Sequence, residues 1–124
     1  MKSIFFIPID KPNADYSKIL YEISKKVILC EKNGFQEAFF GEHLTDKHEK
    51  LSSSLMMISA LSLITQNIRL GTMTINLPFY HPSVLASLIS TADNLAKGRL
   101  LLGIGSGSNQ TDIEATNILD KDNY

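Results

Sequence analysis

The feature that most constrains this sequence is a regular alternation of short apolar runs with amphipathic helical stripes. Four runs, at residues 3–9, 37–41, 68–76 and 99–105, are rich in isoleucine, leucine and phenylalanine, and they predict buried strands. Between them, apolar residues recur every three or four positions, as on one face of a helix. Because the strands are apolar throughout, the alternation predicts a parallel sheet covered by helices, and the fold class is α/β.

Start and stop signals support three helices between these strands. Asn33-Gly34 ends the first helix, because glycine readily adopts the left-handed conformation after a last turn. Ser53 or Ser54 can cap the second helix. That helix is apolar on all sides, so we expect it to be covered by both the sheet and a partner. Pro82 opens the third helix in its tolerated first position.

Two architectures satisfy this pattern. One is a doubly wound sheet, and the other is half of a closed barrel, since 124 residues are about half of the roughly 250 in a complete (β/α)-barrel. A half-barrel would leave its first and fourth strands as unpaired edges. It would therefore need the rest of a longer protein or a second chain, and the pattern alone leaves both architectures open.

Composition excludes several classes of partner. The formal net charge is -1, so the chain offers no electrostatic field that would attract nucleic acid or an anionic membrane surface. The residues are 44% hydrophobic. The longest apolar stretches are too short to cross a bilayer. The single cysteine, Cys30, cannot form an internal disulfide. These features predict a cytoplasmic protein with no membrane or nucleic-acid partner.

The polar loop that follows the second strand carries two histidines and several charged side chains. It contains His43, Asp46, His48 and Glu49. Their spacing lacks the His-x-x-x-His pattern of a helical zinc site, and the loop has no cysteine pair, so we expect no metal site. On its own, a loop histidine is more often solvated or structural than functional.

Two longer segments carry a family resemblance. They are GEHLTDKHEK after the second strand and NIRLGTMTINLPFYHPSVLASLISTADNLAKGRLLLGIGSG. They resemble the luciferase-like, flavin-dependent monooxygenases, which show a Glu-His pair, a Leu-Gly-Thr strand, a His-Pro helix start and a Gly-Arg strand ending in glycines. The resemblance covers nearly the entire chain and is nearest to the limonene-type and alkane-type monooxygenases.

The resemblance implies the N-terminal half of a TIM barrel, with parallel strands in the order 1-2-3-4 and helices on the outer face. It implies reduced FMN supplied by a flavin reductase, with the deazaflavin F420 less favoured, and oxidation of a small organic substrate by dioxygen. Residues 1–124 would form one domain truncated after the fourth strand. The alternative is a non-catalytic fragment, or a half-barrel that works only with a partner chain.

Carried over residue by residue, His43 matches the family's active-site histidine, which handles protons beside the flavin. Histidine suits that role because its ordinary pKa lies near neutrality. Glu42 matches the family's glutamate, and a loop-bracing role is as good an expectation as a catalytic one. Leu44 stands where many relatives carry a second histidine or an aromatic residue, so chemistry that needs two histidines is not expected.

The resemblance places the flavin ring against the ends of the third and fourth strands. Met73 and Thr74 match a pair that is joined in many relatives by a cis peptide bond, and Gly105 and Ser106 match the segment that approaches the ring. Small residues there would allow close contact with a flat ring. We expect these four residues to bind the cofactor, although an ordinary buried strand and a turn explain them equally well without the family.

Two further expectations follow from the same segments. Asp93 and Arg99 match a family pattern at the far end of the barrel, where an ion pair or a cap explains them better than catalysis. Small residues on the second and third helices permit close helix packing, which predicts a homo-oligomer. These residues are Ser59, Ala60, Ser62, Ala86, Ser87 and Ser90.

Overall fold

A computed structural model describes residues 2–6 and 15–117 of the chain. Strands and helices alternate along it, followed by a short final helix. In order they are β1 (Ser3–Phe6), α1 (Tyr16–Lys32), β2 (Glu37–Phe40), α2 (Ser54–Ser62), β3 (Arg69–Asn76), a 3₁₀ turn (Leu77–Phe79), α3 (Pro82–Ala96), β4 (Leu100–Gly105) and α4 (Gln110–Thr116). Each of the four predicted strands is present, and residues 7–9 of the first lie outside the described residues.

The four strands form one parallel sheet in the order β1-β2-β3-β4. Ser3, Glu37 and Arg69 lie side by side where the first three strands begin. The sequential order and the parallel pairing confirm the α/β prediction and the half-barrel arrangement. We call the C-terminal ends of the strands and the loops that follow them the mouth, and the N-terminal ends with the loops before them the base.

Helices α1 to α3 pack on one face of the sheet, which is the outer face of the half-barrel. Phe6 and Phe40 point to this side, with ring centroids 5.5 Å apart. The core between sheet and helices is formed by buried apolar side chains. Its fully buried members include Val27, Ala38, Phe40, Ile58, Leu61, Leu70 and Ile75.

The helices begin and end as the sequence predicts. Ser53 caps α2 by accepting a hydrogen bond from the Met56 amide, and Pro82 occupies the first turn of α3. Gly34 has a φ of 79°, in the left-handed region expected just beyond the end of α1. The cap of α1 is Asp15, whose carboxylate accepts from the Ser17 amide at 2.9 Å.

The opposite, inner face of the sheet is lined by small and aromatic residues in layers. Gly71 permits the ring of Phe39 to lie across β3, since a Cβ at this position would fall 2.5 Å from two ring carbons. One layer nearer the base, Glu37 accepts hydrogen bonds from Ser3 and from the guanidinium of Arg69. On the inner face, the polar side chains of Ser3, Glu37 and Arg69 therefore lie at the base, and the next layer toward the mouth is apolar.

Helix α2 is only partly covered within this chain. The side of α2 that packs against the sheet is buried, whereas Met56 is 74% exposed and Leu63, at the C-terminal end of the helix, is 68% exposed. The expectation of cover on both sides is thus met on the sheet side alone. No helix in residues 2–6 and 15–117 is both long and apolar enough to span a membrane.

Two details at the ends of the sheet differ from expectation. Arg99 caps α2, because its guanidinium donates to the carbonyl of Ser62 at 2.9 Å. It forms no ion pair with Asp93 among the described residues, so the expected pair is wrong and the expected cap is right. Helix α4, beyond β4, was not predicted from the sequence.

Candidate functional site

The mouth collects the polar loops that follow the strands. Residues 41–53 connect β2 to α2, residues 77–81 connect β3 to α3, and residues 106–109 connect β4 to α4. In barrels of parallel strands, these C-terminal connections are where active sites are built. All five residues expected to act in catalysis or cofactor binding lie at this end of the sheet. His43 and Ser106 lie in these connections, and Met73, Thr74 and Gly105 lie in the second halves of β3 and β4.

Glu42 is the buried carboxylate at the start of the first of these loops, with 3% of its surface exposed. One carboxylate oxygen accepts from both the backbone amide and the hydroxyl of Ser54, each at 2.8 Å. The other accepts from the Tyr80 hydroxyl at 2.8 Å. Glu42 therefore joins the beginning of α2 to the β3–α3 connection, which supports the loop-bracing role over the catalytic one.

Tyr80 responds to this contact in its acid-base behaviour. Its burial raises the pKa of the phenol, and the negative charge of Glu42 and the hydrogen bond to it raise that pKa further. The phenol thus remains a hydrogen-bond donor well beyond neutral pH. Glu42 and Tyr80 are kept in one arrangement because both carboxylate oxygens of Glu42 accept hydrogen bonds.

His43 is held on both sides of its ring. Its backbone amide donates to the Leu51 carbonyl at 3.0 Å, which fixes the loop where the side chain leaves it. The Nδ1 atom lies 3.3 Å from Oδ2 of Asp112, and Nε2 lies 3.1 Å from Oε2 of Glu49. The side chain is 28% exposed, so the ring is oriented by the protein and still reachable from solvent.

Asp112 is completely buried, and it connects α4 to the loop that carries His43. Its Oδ1 atom accepts from the Thr45 amide at 2.8 Å and from the Thr45 hydroxyl at 2.7 Å. Burial acts to raise the pKa of this carboxyl, but hydrogen bonds from Thr45, from the Leu44 amide and from His43 outweigh it, so the pKa is lowered. The buried carboxylate is therefore stable in its charged form.

The ends of β3 and β4 meet through the residues expected to contact the flavin ring. The peptide bond between Met73 and Thr74 is cis, as the resemblance implied. A Cβ on Gly105 would lie 2.3 Å from Oγ1 of Thr74, so this glycine is required by its neighbour on β3. Met73 is 46% exposed. Ser106 follows at the exposed rim.

The structure therefore brings the expected residues to one end of the sheet in two groups. Thr74 and Gly105 are in contact, whereas the side chain of His43 bonds to Asp112, Asn109 and Glu49 within the described chain. The groups are linked by Asn76, whose amide lies 3.4 Å from the carbonyl of Glu42 and close to the position of a Cβ on Gly105.

The ends of β3 and β4 offer accessible side chains but no arginine. Met73 and Ser106 are exposed there, and the Cβ direction of Gly105 is filled by Thr74. The chain has two arginines, Arg69 and Arg99, and both lie at the base. A phosphate at the mouth would therefore need donors other than the arginines of this chain. Among the described residues, no group of three or more histidine, cysteine or acidic side chains is placed to hold a metal ion.

Sequence reasoning missed the residues that hold His43. Asn109 accepts from the amides of Thr111 and Asp112 at 3.0 and 3.3 Å, as a helix cap does. An asparagine followed three residues later by an acidic residue is a helix start signal, so α4 could have been predicted from the sequence. Its docking onto the β2–α2 loop was not, because that contact joins residues 67 positions apart.

Comparisons with known proteins agree with this geometry. A family model for luciferase-like monooxygenases matches residues 1–123. Limonene 1,2-monooxygenase from Rhodococcus erythropolis is 30% identical over 103 residues, which cover 83% of this chain and 27% of that enzyme. An F420-dependent glucose-6-phosphate dehydrogenase from Nakamurella multipartita is 29% identical over 96 residues, covering 74% of this chain and 28% of that protein.

A solved structure gives the same result for the fold. It is the oxygenating constituent of 3,6-diketocamphane monooxygenase from Pseudomonas putida, a type II Baeyer-Villiger monooxygenase in complex with FMN. It superposes with a TM-score of 0.91 at 25% identity, covering 96% of this chain and 33% of that one. Relatives in the family thus use FMN or F420, and this chain spans about a third or less of their length. The match along residues 1–123 and the four-stranded parallel sheet place this chain in the luciferase-like monooxygenase family, as an N-terminal part of its barrel.

Proposed function

We propose that this chain supplies the N-terminal half of the active site of a flavin-dependent monooxygenase that oxidises a small organic substrate with dioxygen. The observation that carries the proposal is the placement of His43 at the mouth, with one ring nitrogen against buried Asp112 and the other against Glu49. A ring oriented in this way, 28% exposed, is suited to exchanging protons with a reactant beside it.

The roles of the other expected residues follow from their positions. Met73 and Thr74 on β3, with Gly105 and Ser106 at the end of β4, would carry the flavin ring. A bound reduced flavin supplies the electrons that dioxygen needs to react with an organic molecule. The chain's own contribution is to orient the ring, to hold a proton donor near it and to keep the surrounding loops in place through Glu42.

FMN is the cofactor that we propose, delivered in reduced form by a separate flavin reductase. The FMN complex of the diketocamphane enzyme covers 96% of this chain, and limonene 1,2-monooxygenase covers 83% of it. The F420-dependent relative covers 74% at similar identity, so F420 is the second choice.

The second candidate function is a non-catalytic fragment, or a half-barrel that works only with a partner chain. Like the first candidate, it leaves the inner face to be covered by other strands, since Phe5 is 43% exposed and Met73 is 46% exposed there. A half-barrel of this kind would become active only when further strands complete the barrel.

We also propose that the working protein is a homo-oligomer. Exposed apolar side chains on α2 and α3, among them Met56 and Val84, lie on helices that carry several small residues. Burying such side chains between two copies would remove them from water. Sedimentation of the chain at micromolar concentration would test this, and a strictly monomeric chain would contradict it.

Titration with FMN tests whether this chain holds only part of the flavin site. The 124-residue chain should bind FMN weakly, because only the ring end of the site is lined by its described residues. Quenching of flavin fluorescence measures the affinity directly. Tight, stoichiometric binding would show instead that this chain holds the whole flavin site.

Replacing His43 tests the proposed mechanism in a chain extended to full barrel length. His43→Ala should leave FMN affinity nearly unchanged and slow oxygen-dependent turnover by about 100-fold, the usual scale for a lost general acid or base. His48→Ala is the matched control, because His48 lies on the same loop and is exposed. Equal turnover in the two variants would remove His43 from the mechanism.

A further inference from the structure

The two carboxylates beside His43 differ in their freedom to move. Asp112, opposite Nδ1, is completely buried, whereas the side chain of Glu49, opposite Nε2, is 34% exposed. A buried carboxylate cannot turn to water, so it must keep a hydrogen-bond donor. A half-exposed one can exchange its protein partner for water at small cost.

The remaining bonds of these carboxylates reinforce the difference. Oδ1 of Asp112 is fixed by the amide and hydroxyl of Thr45 at 2.8 and 2.7 Å, which leaves Oδ2 directed at His43. The side chain of Glu49 meets His43, and its backbone amide donates to Asp46 at 3.1 Å. The Asp112 carboxylate is therefore a permanent partner of Nδ1, and the Glu49 carboxylate is a replaceable partner of Nε2.

Asn109 competes for the same ring nitrogen. Its Nδ2 atom lies 3.3 Å from Nδ1 of His43, and a neutral ring could accept a hydrogen bond there. The same nitrogen cannot accept from Asn109 and donate to Asp112. A hydrogen bond to a charged carboxylate is roughly twice as strong as one between neutral groups, so the contact with Asp112 prevails.

We propose that Asp112 is a positioning residue that holds a proton on Nδ1 of His43 and so makes Nε2 the nitrogen that exchanges protons. The neutral ring then carries its hydrogen on Nδ1, opposite to the preference of a free histidine side chain in water. Glu49 accepts from Nε2 when the ring carries both hydrogens and turns to water when Nε2 has lost its hydrogen. The relevance of this tautomer to catalysis rests on the proposed function, but the tautomer itself does not.

Nitrogen-15 NMR of the ring tests the inference in the 124-residue chain. At about pH 9 histidine side chains are neutral under ordinary conditions, and each ring nitrogen shows whether it carries a hydrogen. The chain has three histidines, and exposed His48 serves as the internal reference, since Nδ1 of His81 is bonded to the Ser83 hydroxyl at 2.8 Å. His43 should carry its hydrogen on Nδ1. A hydrogen on Nε2 of His43 in the unsubstituted chain would overturn the proposal.

Two variants identify the cause. In Asp112→Asn the amide oxygen must accept from Thr45, which turns the amide nitrogen toward Nδ1, so the hydrogen of His43 should move to Nε2. Thr45→Val removes a hydroxyl bond to the same carboxylate and keeps the Thr45 amide, so the hydrogen should stay on Nδ1. A hydrogen that stays on Nδ1 in Asp112→Asn, or that moves in Thr45→Val, would contradict the proposal.

Turnover of the full-length barrel separates this inference from the proposed function. Asp112→Asn should lower kcat by at least about tenfold with FMN affinity unchanged, since only the proton-exchanging atom is altered. Loss of activity in His43→Ala but not in Asp112→Asn would overturn the positioning role alone. Full activity in both variants would overturn the proposed function, while the NMR result would still decide the tautomer.

Discussion

The base and the mouth both hold charged side chains, but they use them differently. At the base, Glu31 accepts from the backbone amides of Gln66, Asn67 and Ile68, at 3.0, 2.6 and 2.9 Å. Arg99 donates to backbone carbonyls there as well. At the mouth, Glu42 and Asp112 each use one carboxylate oxygen for a backbone amide, but the other oxygen faces a titratable side chain, Tyr80 or His43.

The difference separates a structural role from a chemical one. A charged side chain whose hydrogen bonds go to main-chain groups is fixed by the fold and has no hydrogen-bonding capacity left for a ligand. A side chain bonded to another side chain can change its partner when a ligand arrives. The comparison therefore predicts that substitutions at the base cost stability, whereas those around His43 alter chemistry at a smaller cost in stability.

Arg99 should give the largest loss of stability among these residues. Its guanidinium donates to the Ser62 and Ile68 carbonyls and to the Thr65 hydroxyl, at 2.9, 3.0 and 3.0 Å. Arg99→Met keeps an apolar stem and removes the three charged donors, so the free energy of unfolding should fall by about 3 kcal/mol. Urea unfolding measures this change.

Lys26→Ala is the control for Arg99, because Lys26 is an exposed cation on α1. Its unfolding free energy should stay within about 0.5 kcal/mol of the unsubstituted chain. The ring tautomer of His43 should be unaffected by Arg99→Met. If Arg99→Met were as stable as the control, the base would not be the structural end of the sheet.

Glu31 should give a smaller effect that depends on acid. Partial burial acts to raise the pKa of Glu31, but the amides of Asn67, Ile68 and Gln66 outweigh it, and the pKa is lowered. A lowered carboxyl pKa contributes stability above its unfolded value of about 4.3, and that contribution is lost as the pH falls through the folded value. Glu31→Gln should thus cost about 1.5 kcal/mol at neutral pH and progressively less in acid.

Urea unfolding at about pH 7 and about pH 3 tests this dependence. Glu22→Gln is the matched control, because Glu22 is paired only with Lys25 in a half-exposed contact one turn away on α1. The control should differ little from the unsubstituted chain at either pH. A loss in Glu31→Gln that is equal at both pH values would mean that the carboxylate charge does not bind the three amides.

The alternation of strands and helices could be predicted from the sequence because it depends on local patterns. The strand limits, the Ser53 cap, Pro82 in the first turn of α3 and the left-handed Gly34 all follow from neighbouring residues. The choice of a half-barrel over a doubly wound sheet needed the family resemblance, since the two share one periodicity. The role of Arg99 was only half predicted, because its acceptors are carbonyls, which a sequence does not distinguish.

The candidate site was predictable at single positions and not as a network. His43 and the Met73-Thr74 pair were found because each belongs to a motif that the family shares. The roles of Asp112 and Tyr80 were not predicted, because each acts through a contact between loops that are distant in sequence. Such contacts depend on where the loops are placed by the sheet, which local patterns do not specify.

Tyr80 should give the smallest effect, and it should appear at the opposite end of the pH scale from that of Glu31. Burial and the charge of Glu42 raise the pKa of Tyr80, so its bond to Glu42 contributes stability below the unfolded tyrosine value of about 10. This contribution is lost as the pH rises through the folded value. Tyr80→Phe should cost about 1 kcal/mol at neutral pH, since Glu42 keeps both donors of Ser54.

Tyr21→Phe is the matched control for Tyr80, because Tyr21 is 63% exposed on α1. Urea unfolding at about pH 7 and about pH 11 should show a difference between Tyr80→Phe and the unsubstituted chain that shrinks at the higher pH. The control variant should differ little at either value. Acid would then weaken the base through Glu31 and the mouth through Asp112, since both contacts need a carboxylate. Alkali would weaken the mouth through Tyr80, whose contact needs a protonated phenol. A Tyr80→Phe loss that stays constant up to about pH 11 would mean that the phenol does not bind Glu42 as a donor, and the mouth would lose one of its two side-chain networks.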